Sequence, residues 1–215
     1  MKKNNFVVFW DWNGTIVDDV FVFVEILNIL LKEENLPSIS VEGYKNSFCF
    51  PIKSFYKKIK LYKNPAQFKS INERFINLYL SRMFNPCLKT NIVSVLNFLY
   101  MKNIKQYVLS AQNQKTLNLL VQHYSLNKYF SKVVGVENNF ALGKEKQALK
   151  LKKRVCLNGE KIIIIGDTSL DVLVAKTLKA QCFLVGWGHY SLDRLLKHSL
   201  PVFSSPANLQ KNIFS

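Results

Sequence analysis

The sequence predicts an α/β protein: a doubly wound parallel sheet of five strands, covered by helices on both faces in three layers, with an all-helical insertion after the first strand. Three observations predict it. From residue 86 onward, apolar runs of strand length alternate with segments of helical period, the pattern of parallel strands joined by crossover helices. Four consecutive isoleucines at positions 162–165 suit a central strand buried on both sides. Between Val17 and Phe84 the apolar spacing is helical, and no strand alternation occurs.

Taken in order, Phe6–Trp10 reads as a buried strand that runs straight into Asp11. In the insertion, Val20, Val24, Leu27 and Leu31 recur at helical spacing, as do Phe68, Ile71, Phe75, Leu78 and Tyr79. Leu36-Pro37 and Phe50-Pro51 punctuate the helices between them. After Asn85-Pro86, helices are expected at 92–99, 116–124, 144–151, 172–178 and 192–197. Strands are expected at 106–110, 132–136, 161–165 and 182–186. The expected division is residues 1–16 and 86–215 as core, and 17–85 as insertion.

A chain of 215 residues, 48% hydrophobic, can bury a full core. Its longest apolar stretches are too short or too interrupted to span a bilayer: Val20–Leu31 contains Glu25 and Asn28. Phe6–Trp10 is too short for an export signal, so a cytoplasmic location is expected. Cys49, Cys87, Cys156 and Cys182 lack metal-site spacing and read as free, mostly buried thiols. The net charge of +16 is carried almost wholly by lysine, with arginine only at 74, 82, 154 and 194. The longest basic cluster, Lys150–Arg154, is short. These features favour a solvated surface that attracts small anions over a nucleic-acid groove, which stays as the alternative. No specific nucleic acid, no membrane, and a monomer or weak dimer are expected.

In doubly wound sheets the ligand crevice lies beyond the carboxyl ends of the strands. The residues found there are Asp11, Ser110 and Gly166-Asp167. A lone carboxylate at a strand end is usually a helix cap. Two on neighbouring strands repel unless a cation lies between them, and magnesium suits oxygen ligands beside phosphate. Gly14 fits a turn needing positive φ, which would aim the backbone amides after Asp11 into the crevice. Ser110 offers a hydroxyl near a helix start, and Lys144, after Gly143, a point charge.

Asp11-Trp12-Asn13-Gly14-Thr15, Ser110, Lys144 and Gly166-Asp167-Thr168-Ser169-Leu170-Asp171 together resemble the four motifs of the haloacid-dehalogenase-like (HAD) hydrolase superfamily. The resemblance is to its phosphatase branch with a helical cap, phosphoglycolate-phosphatase-like, and to a subgroup with Asp-Trp-Asn-Gly-Thr as first motif. It implies a Rossmann-like core, a mobile cap over residues 17–85, and cleavage of a small phosphorylated metabolite through an aspartyl-phosphate on Asp11. It also implies magnesium held by Asp11, the Asn13 carbonyl and Asp167, with Asp171 nearby. Gly14, Thr15, Ser110, Ala111 and Lys144 would bind the phosphoryl group. The superfamily's dehalogenases lack a Gly-Asp-x-x-x-Asp motif, and its phosphonate-cleaving members carry Ala where this chain has Asn13; neither matches.

Asn13 departs from the pattern. Family phosphatases usually carry there a second Asp that protonates the leaving group and then activates water, and an amide cannot exchange a proton in that way. Losing such a group costs on the order of 10²–10⁴-fold in rate. Three readings stay open: a substrate whose leaving group needs little protonation, a slow phosphatase, or a binder of phosphorylated ligands without turnover. An Asp restored at position 13 is expected to raise turnover.

Asp18 and Asp19 read as caps of the first helix in the insertion, and His189 as loop packing at the crevice rim, with a phosphate or proton-transfer role as the alternative. His123 and His198 read as structural. The cluster Phe48, Phe50, Pro51, Phe55 and Tyr56 reads as the insertion's own core, with Lys53 and Lys57 as weak candidates for substrate contact.

Overall fold

The computed structural model describes residues 6–155 and 159–213; Cys156 lies outside them. The strands are β1 (Phe6–Trp10), β2 (Val17–Asp18), β3 (Cys87–Leu88), β4 (Gln106–Asn113), β5 (Lys132–Val136), β6 (Lys161–Gly166), β7 (Gln181–Val185) and β8 (Val202–Phe203). Six of them form one sheet in the order β5-β4-β1-β6-β7-β8, with every pair parallel. The expectation of five is corrected by β8, whose two residues pair with Leu184 and Val185. Two residues carry no periodicity, so nothing in the sequence announced this strand.

The remaining two strands, β2 and β3, form an antiparallel ribbon with Val17 opposite Leu88 and Asp18 opposite Cys87. It corrects the purely helical reading of the segment that starts at Val17. Lys89 N donates to Ile16 O at 2.9 Å, and Lys89 Nζ lies 3.1 Å from Asp18 Oδ2. These bonds hold together the two chain crossings at the ends of the helical segment. That segment contains α1 (Val20–Glu33), α2 (Val41–Ser47), α3 (Ile52–Lys58) and α4 (Pro65–Leu80). Ser40 and Asn64 cap α2 and α4 by accepting from the N–H of Gly43 and Gln67.

The core helices are α5 (Ile92–Met101), α6 (Gln114–His123), α7 (Lys144–Val155), α8 (Ser169–Leu178), α9 (Leu192–Leu196) and α10 (Pro206–Asn212). The last was not expected. It starts at Ser205, which accepts from Asn208 N, with Pro206 in the first turn, and it packs on α5. Among the described residues the cysteines are free, but only Cys182 is buried; Cys87 is exposed because the β2–β3 ribbon lies at the surface. No described helix is long and apolar enough to cross a membrane.

Ile162, Ile163, Ile164 and Ile165 are all buried, as a strand covered on both faces requires. Register then sets the site. Trp10 sits opposite Ile165, and Asp11 N donates to Ile165 O at 2.8 Å, so Asp11 and Gly166-Asp167 leave the sheet side by side. On the other flank Trp10 pairs with Val108, which places Ser110 at the same edge. Gln106 braces this strand pair: its Oε1 accepts from the buried Trp10 Nε1 at 3.0 Å and its Nε2 donates to Leu96 O at 2.9 Å. Gln106→Leu strands the indole N–H, so it is expected to cost about 1–3 kcal/mol, the penalty of one buried unsatisfied donor. The loss should appear as a lower urea midpoint at unchanged m-value; an unchanged midpoint would remove Gln106 from the brace.

Candidate active site

Lys144 opens α7 and is buried, with its Nζ 2.7 Å from Asp11 Oδ1 and 2.6 Å from Asp171 Oδ1. Burial works against its ammonium, but the two carboxylates outweigh burial and hold its pKa above the ordinary range. Asp11, Asp167 and Asp171 each bring a carboxylate oxygen to within 4.8 Å of the others. Burial, then Asp171, push Asp11 up to about 8, which Lys144 only partly opposes. Burial also lifts Asp167 to about 6, against the influence of His189. Three carboxylates around one ammonium leave a formal excess of two negative charges. A set of oxygen donors with that deficit fits one hard divalent cation.

Asp171 is the best anchored of the three. Its Oδ2 accepts from Asp167 N, Thr168 N and Thr168 Oγ1 at 3.2, 3.0 and 2.9 Å, closing the first turn of α8. With Oδ1 held by Lys144, Asp171 fixes Lys144 and the Gly166–Thr168 turn. A side chain at Gly166 would collide with that carboxylate, and one at Gly14 (φ 69°) would meet Asp167 Oδ2 at 2.5 Å.

The loop after Asp11 behaves differently from its expected role. Gly14 N donates to Asp19 Oδ1 at 2.8 Å and Thr15 N to Trp12 O at 3.3 Å, so neither amide is offered to the crevice. Thr15 is buried, with its Oγ1 donating to Asp167 Oδ1 at 3.2 Å; it steadies a carboxylate and does not line the cleft. Asp19 is corrected too. Its backbone carbonyl accepts from Val22 N, but its side chain caps nothing in α1. That carboxylate is buried and turns back to the first motif: Oδ2 accepts from Asn13 Nδ2 at 2.5 Å, and Oδ1 lies 3.2 Å from His189 Nε2.

His189 is therefore more than loop packing. Its N–H donates to Asp167 Oδ2 at 2.5 Å, and its Nδ1 lies 2.8 Å from the hydroxyl of Tyr44 on α2. Burial opposes a charge on the imidazole, yet the Asp19 hydrogen bond and charge raise its pKa overall. Asn13, Asp19, His189 and Tyr44 thus form one buried chain from the first motif to the helical segment. Asp19 stands six residues after Asn13, and only the fold shows that the two side chains meet.

A cavity of about 120 Å³ opens over Asp11 between the core and α1–α4. Ser110 and Ala111 line it with Asp11, Asn13, Asp167 and His189. Ser110 Oγ also accepts from Gln112 N at 3.1 Å. Phe48, Phe50, Phe55 and Tyr56 line its far wall while packing on one another, so the aromatic cluster is both core and wall. Lys53 and Lys57 are exposed and stand outside it.

The comparisons agree with this geometry. The family model for haloacid dehalogenase-like hydrolases matches residues 8–185. A phosphoglycolate phosphatase from Aquifex aeolicus is 24% identical over 215 residues, covering 95% of each chain. Among solved structures, a haloacid dehalogenase-like family hydrolase from Streptococcus pneumoniae superposes with a TM-score of 0.83 at 19% identity, over 99% of both chains. A predicted phosphoglycolate phosphatase from Haemophilus somnus does so at 0.82 and 16%, over 100% of both. At such identities the likeness of structures speaks for the fold, while the match of the family model spans most of the sequence, including the first and last motifs. The chain belongs to the haloacid dehalogenase-like hydrolase family.

Proposed function

We propose that this chain is a magnesium-dependent phosphohydrolase that cleaves a small phosphorylated metabolite through an aspartyl-phosphate on Asp11. The observation that carries the reading is the buried Asp11–Lys144–Asp171 triad beside Asp167, at the floor of a cavity large enough for a small ligand. Residues 17–85 act as a cap over the core of 1–16 and 86–215, and the β2–β3 ribbon marks the junction between them.

Lys144 occupies Asp11 Oδ1, which leaves Oδ2 to attack phosphorus as the leaving oxygen departs on the opposite side. Lys144 also keeps the pair from repelling an incoming phosphate dianion. Ser110 presents its hydroxyl to the phosphoryl oxygens from the neighbouring strand end. Magnesium, held by Asp11, Asp167 and the Asn13 backbone carbonyl, would neutralise charge between nucleophile and phosphoryl group. Asp171 holds Lys144 in place. Asn13 donates its amide to Asp19 and exchanges no proton with the leaving group.

A second reading, ligand binding without turnover, is favoured by that same amide. Labelling separates the two. An acyl phosphate with magnesium should label the wild type on Asp11, and Asp11→Asn should abolish the label; a variant that still takes it up excludes Asp11 as nucleophile.

The metal reading has a pH signature. Asp11 and Asp167 have folded pKa values of about 8 and about 6, above the ordinary 3.8. A carboxyl raised in this way favours the metal-free fold below about 4, and that contribution is lost as pH rises through 6 and 8. Magnesium must displace both protons at pH 5, whereas at pH 8 Asp167 is ionised and Asp11 about half so. Its stabilisation, read as a rise in Tm at fixed ion concentration, should therefore be larger at pH 8 than at pH 5. The apparent affinity should differ by at least about tenfold. An equal rise at both values would count against Asp11 and Asp167 as ligands.

Asp19 also changes what an acid at position 13 can do. Asn13→Asp alone brings two buried carboxylates together, which then share or trap a proton. In Asn13→Asp with Asp19→Asn the bond is reversed: the new amide donates to position 13, while its oxygen still accepts from Gly14 N and faces His189. The double variant is expected to exceed wild-type turnover by about tenfold or more, the usual worth of a positioned acid–base group. The single variant should fall well short of the double, and equal rates for the two would deny Asp19 any hold over position 13.

A further inference from the structure

The cavity over Asp11 is walled in an unusual way for a site that takes phosphorylated metabolites. Its far side is built from rings, among them Phe23, Tyr44, Phe48, Phe55, Tyr56 and Phe75, contributed by α1–α4 and the segment between α2 and α3. None of the described residues that line it is Lys or Arg. Among them His189 alone has a cationic form, and its Nε2 and Nδ1 are engaged by Asp19 and Tyr44. Of the amide side chains at the rim, Gln112, Asn113 and Asn139 offer uncharged donors, while two others are occupied. Asn72 Nδ2 donates to Asn139 O at 3.0 Å, and Asn138 donates to Leu142 O at 2.8 Å while accepting from Phe140 N.

A second anionic group on the substrate, such as a carboxylate or another phosphate, would be buried here with no cation to pair with. That burial is costly, and the uncharged amides and hydroxyls of the lining offset it less than a paired cation would. An aromatic ring would instead meet edges and faces of other rings. The volume agrees. At about 120 Å³ the cavity is of the same order as the ~150 Å³ apolar cavities that take up benzene.

We propose that the site is built for a monophosphate ester whose leaving group is an uncharged aromatic alcohol, an aryl phosphate in the simplest case. This rests on the phosphohydrolase reading above and narrows its substrate class. It also meets the first half of the handicap of Asn13, protonation of the leaving group; the later hydrolysis of the aspartyl-phosphate is the same for every ester. A phenol ionises near 10, as tyrosine does. An aliphatic alcohol holds its proton nearly as tightly as water, at about 15.7. The phenolate can therefore leave without a proton from position 13. In the first step Asp11 Oδ2 bonds to phosphorus, the P–O(aryl) bond breaks, and its electron pair departs on the phenolate, which takes a proton from solvent. In the second, water adds to the aspartyl-phosphate and frees inorganic phosphate, Asp11 and a proton. The sum is aryl phosphate and water giving phenol and phosphate.

Two measurements on the wild-type chain with magnesium test this. Calorimetry with benzylphosphonate and phosphonoacetate, neither of which is hydrolysed, reads recognition alone. Benzylphosphonate should bind at least tenfold more tightly. Phosphate release from phenyl phosphate and 2-phosphoglycolate then reads turnover, where phenyl phosphate should have the higher kcat/KM by at least tenfold. Phosphonoacetate binding as well as benzylphosphonate, or neither binding, overturns the aromatic assignment, as does a preference for phosphoglycolate in turnover. Tight, selective benzylphosphonate binding without phosphate release from either ester upholds the aromatic assignment and overturns the phosphohydrolase reading alone.

Discussion

The contact on which the rest of this site depends is the buried ammonium of Lys144 between Asp11 and Asp171. Parallel pairing of β1 with β6 delivers Asp11 and Asp167 to one sheet edge, and Asp171 follows one turn into α8. Nothing in the sheet itself would tolerate three carboxylates so close. One lysine at the start of a separate helix makes the arrangement tenable, and a single ammonium leaves it two charges short. Removing one partner of such a buried set typically costs about 3–5 kcal/mol, because the survivors keep their desolvation penalty without compensation. The site thus stays two charges short of neutrality, a deficit that the proposed divalent cation would meet.

The second layer follows from the first. With the floor so acidic, the loop from Asp11 to Asp19 could not present another free carboxylate cheaply. Asp19 is accommodated by spreading its charge over Gly14 N, the Asn13 amide and the His189 imidazole. His189 in turn reaches Tyr44 on α2, so the electrostatics of the first motif extend into the helical segment. The same contact zone includes Arg194 and Ser191 N, both donating to Lys45 O. Docking of the α1–α4 segment and the state of position 13 are parts of one hydrogen-bonded chain.

Most of the core was legible in the sequence, and for an identifiable reason: parallel strands buried on both faces are near-continuous apolar runs that end abruptly at functional residues. Phe6–Trp10 before Asp11 and the isoleucine run before Gly166-Asp167 are of that kind. The strand β8, the β2–β3 ribbon and α10 were not legible. Two-residue strands have no period to detect, and α10 is signalled only by Ser205-Pro206 near the end of the chain. That Asp11, Lys144 and Asp167 converge at one sheet edge was legible because each directly follows a strand or opens a helix, and Asp171 joins them one turn into α8. The roles of Gly14, Thr15, Asp19 and His189 were misread because they depend on where a side chain or amide points after the loop folds back. Separation along the chain conceals this: His189 lies 170 residues from the carboxylate it contacts.

The charge of the whole chain and the chemistry of its cavity pull in different directions, and together they sharpen selection. A net charge of +16 raises the local concentration of any small anion, whatever its identity. That attraction ends at the surface, because no described Lys or Arg lines the cavity and Lys144 is already committed. On the proposed reading, a ligand that enters gives up any charge beyond its phosphoryl group to a wall of rings. Long-range electrostatics would then gather phosphate esters in general, and desolvation inside the cavity would discriminate among them by everything that is not phosphate. Relatives that share the catalytic floor need not share that wall, since the floor is fixed by strand ends and the wall by helices free to vary in their side chains.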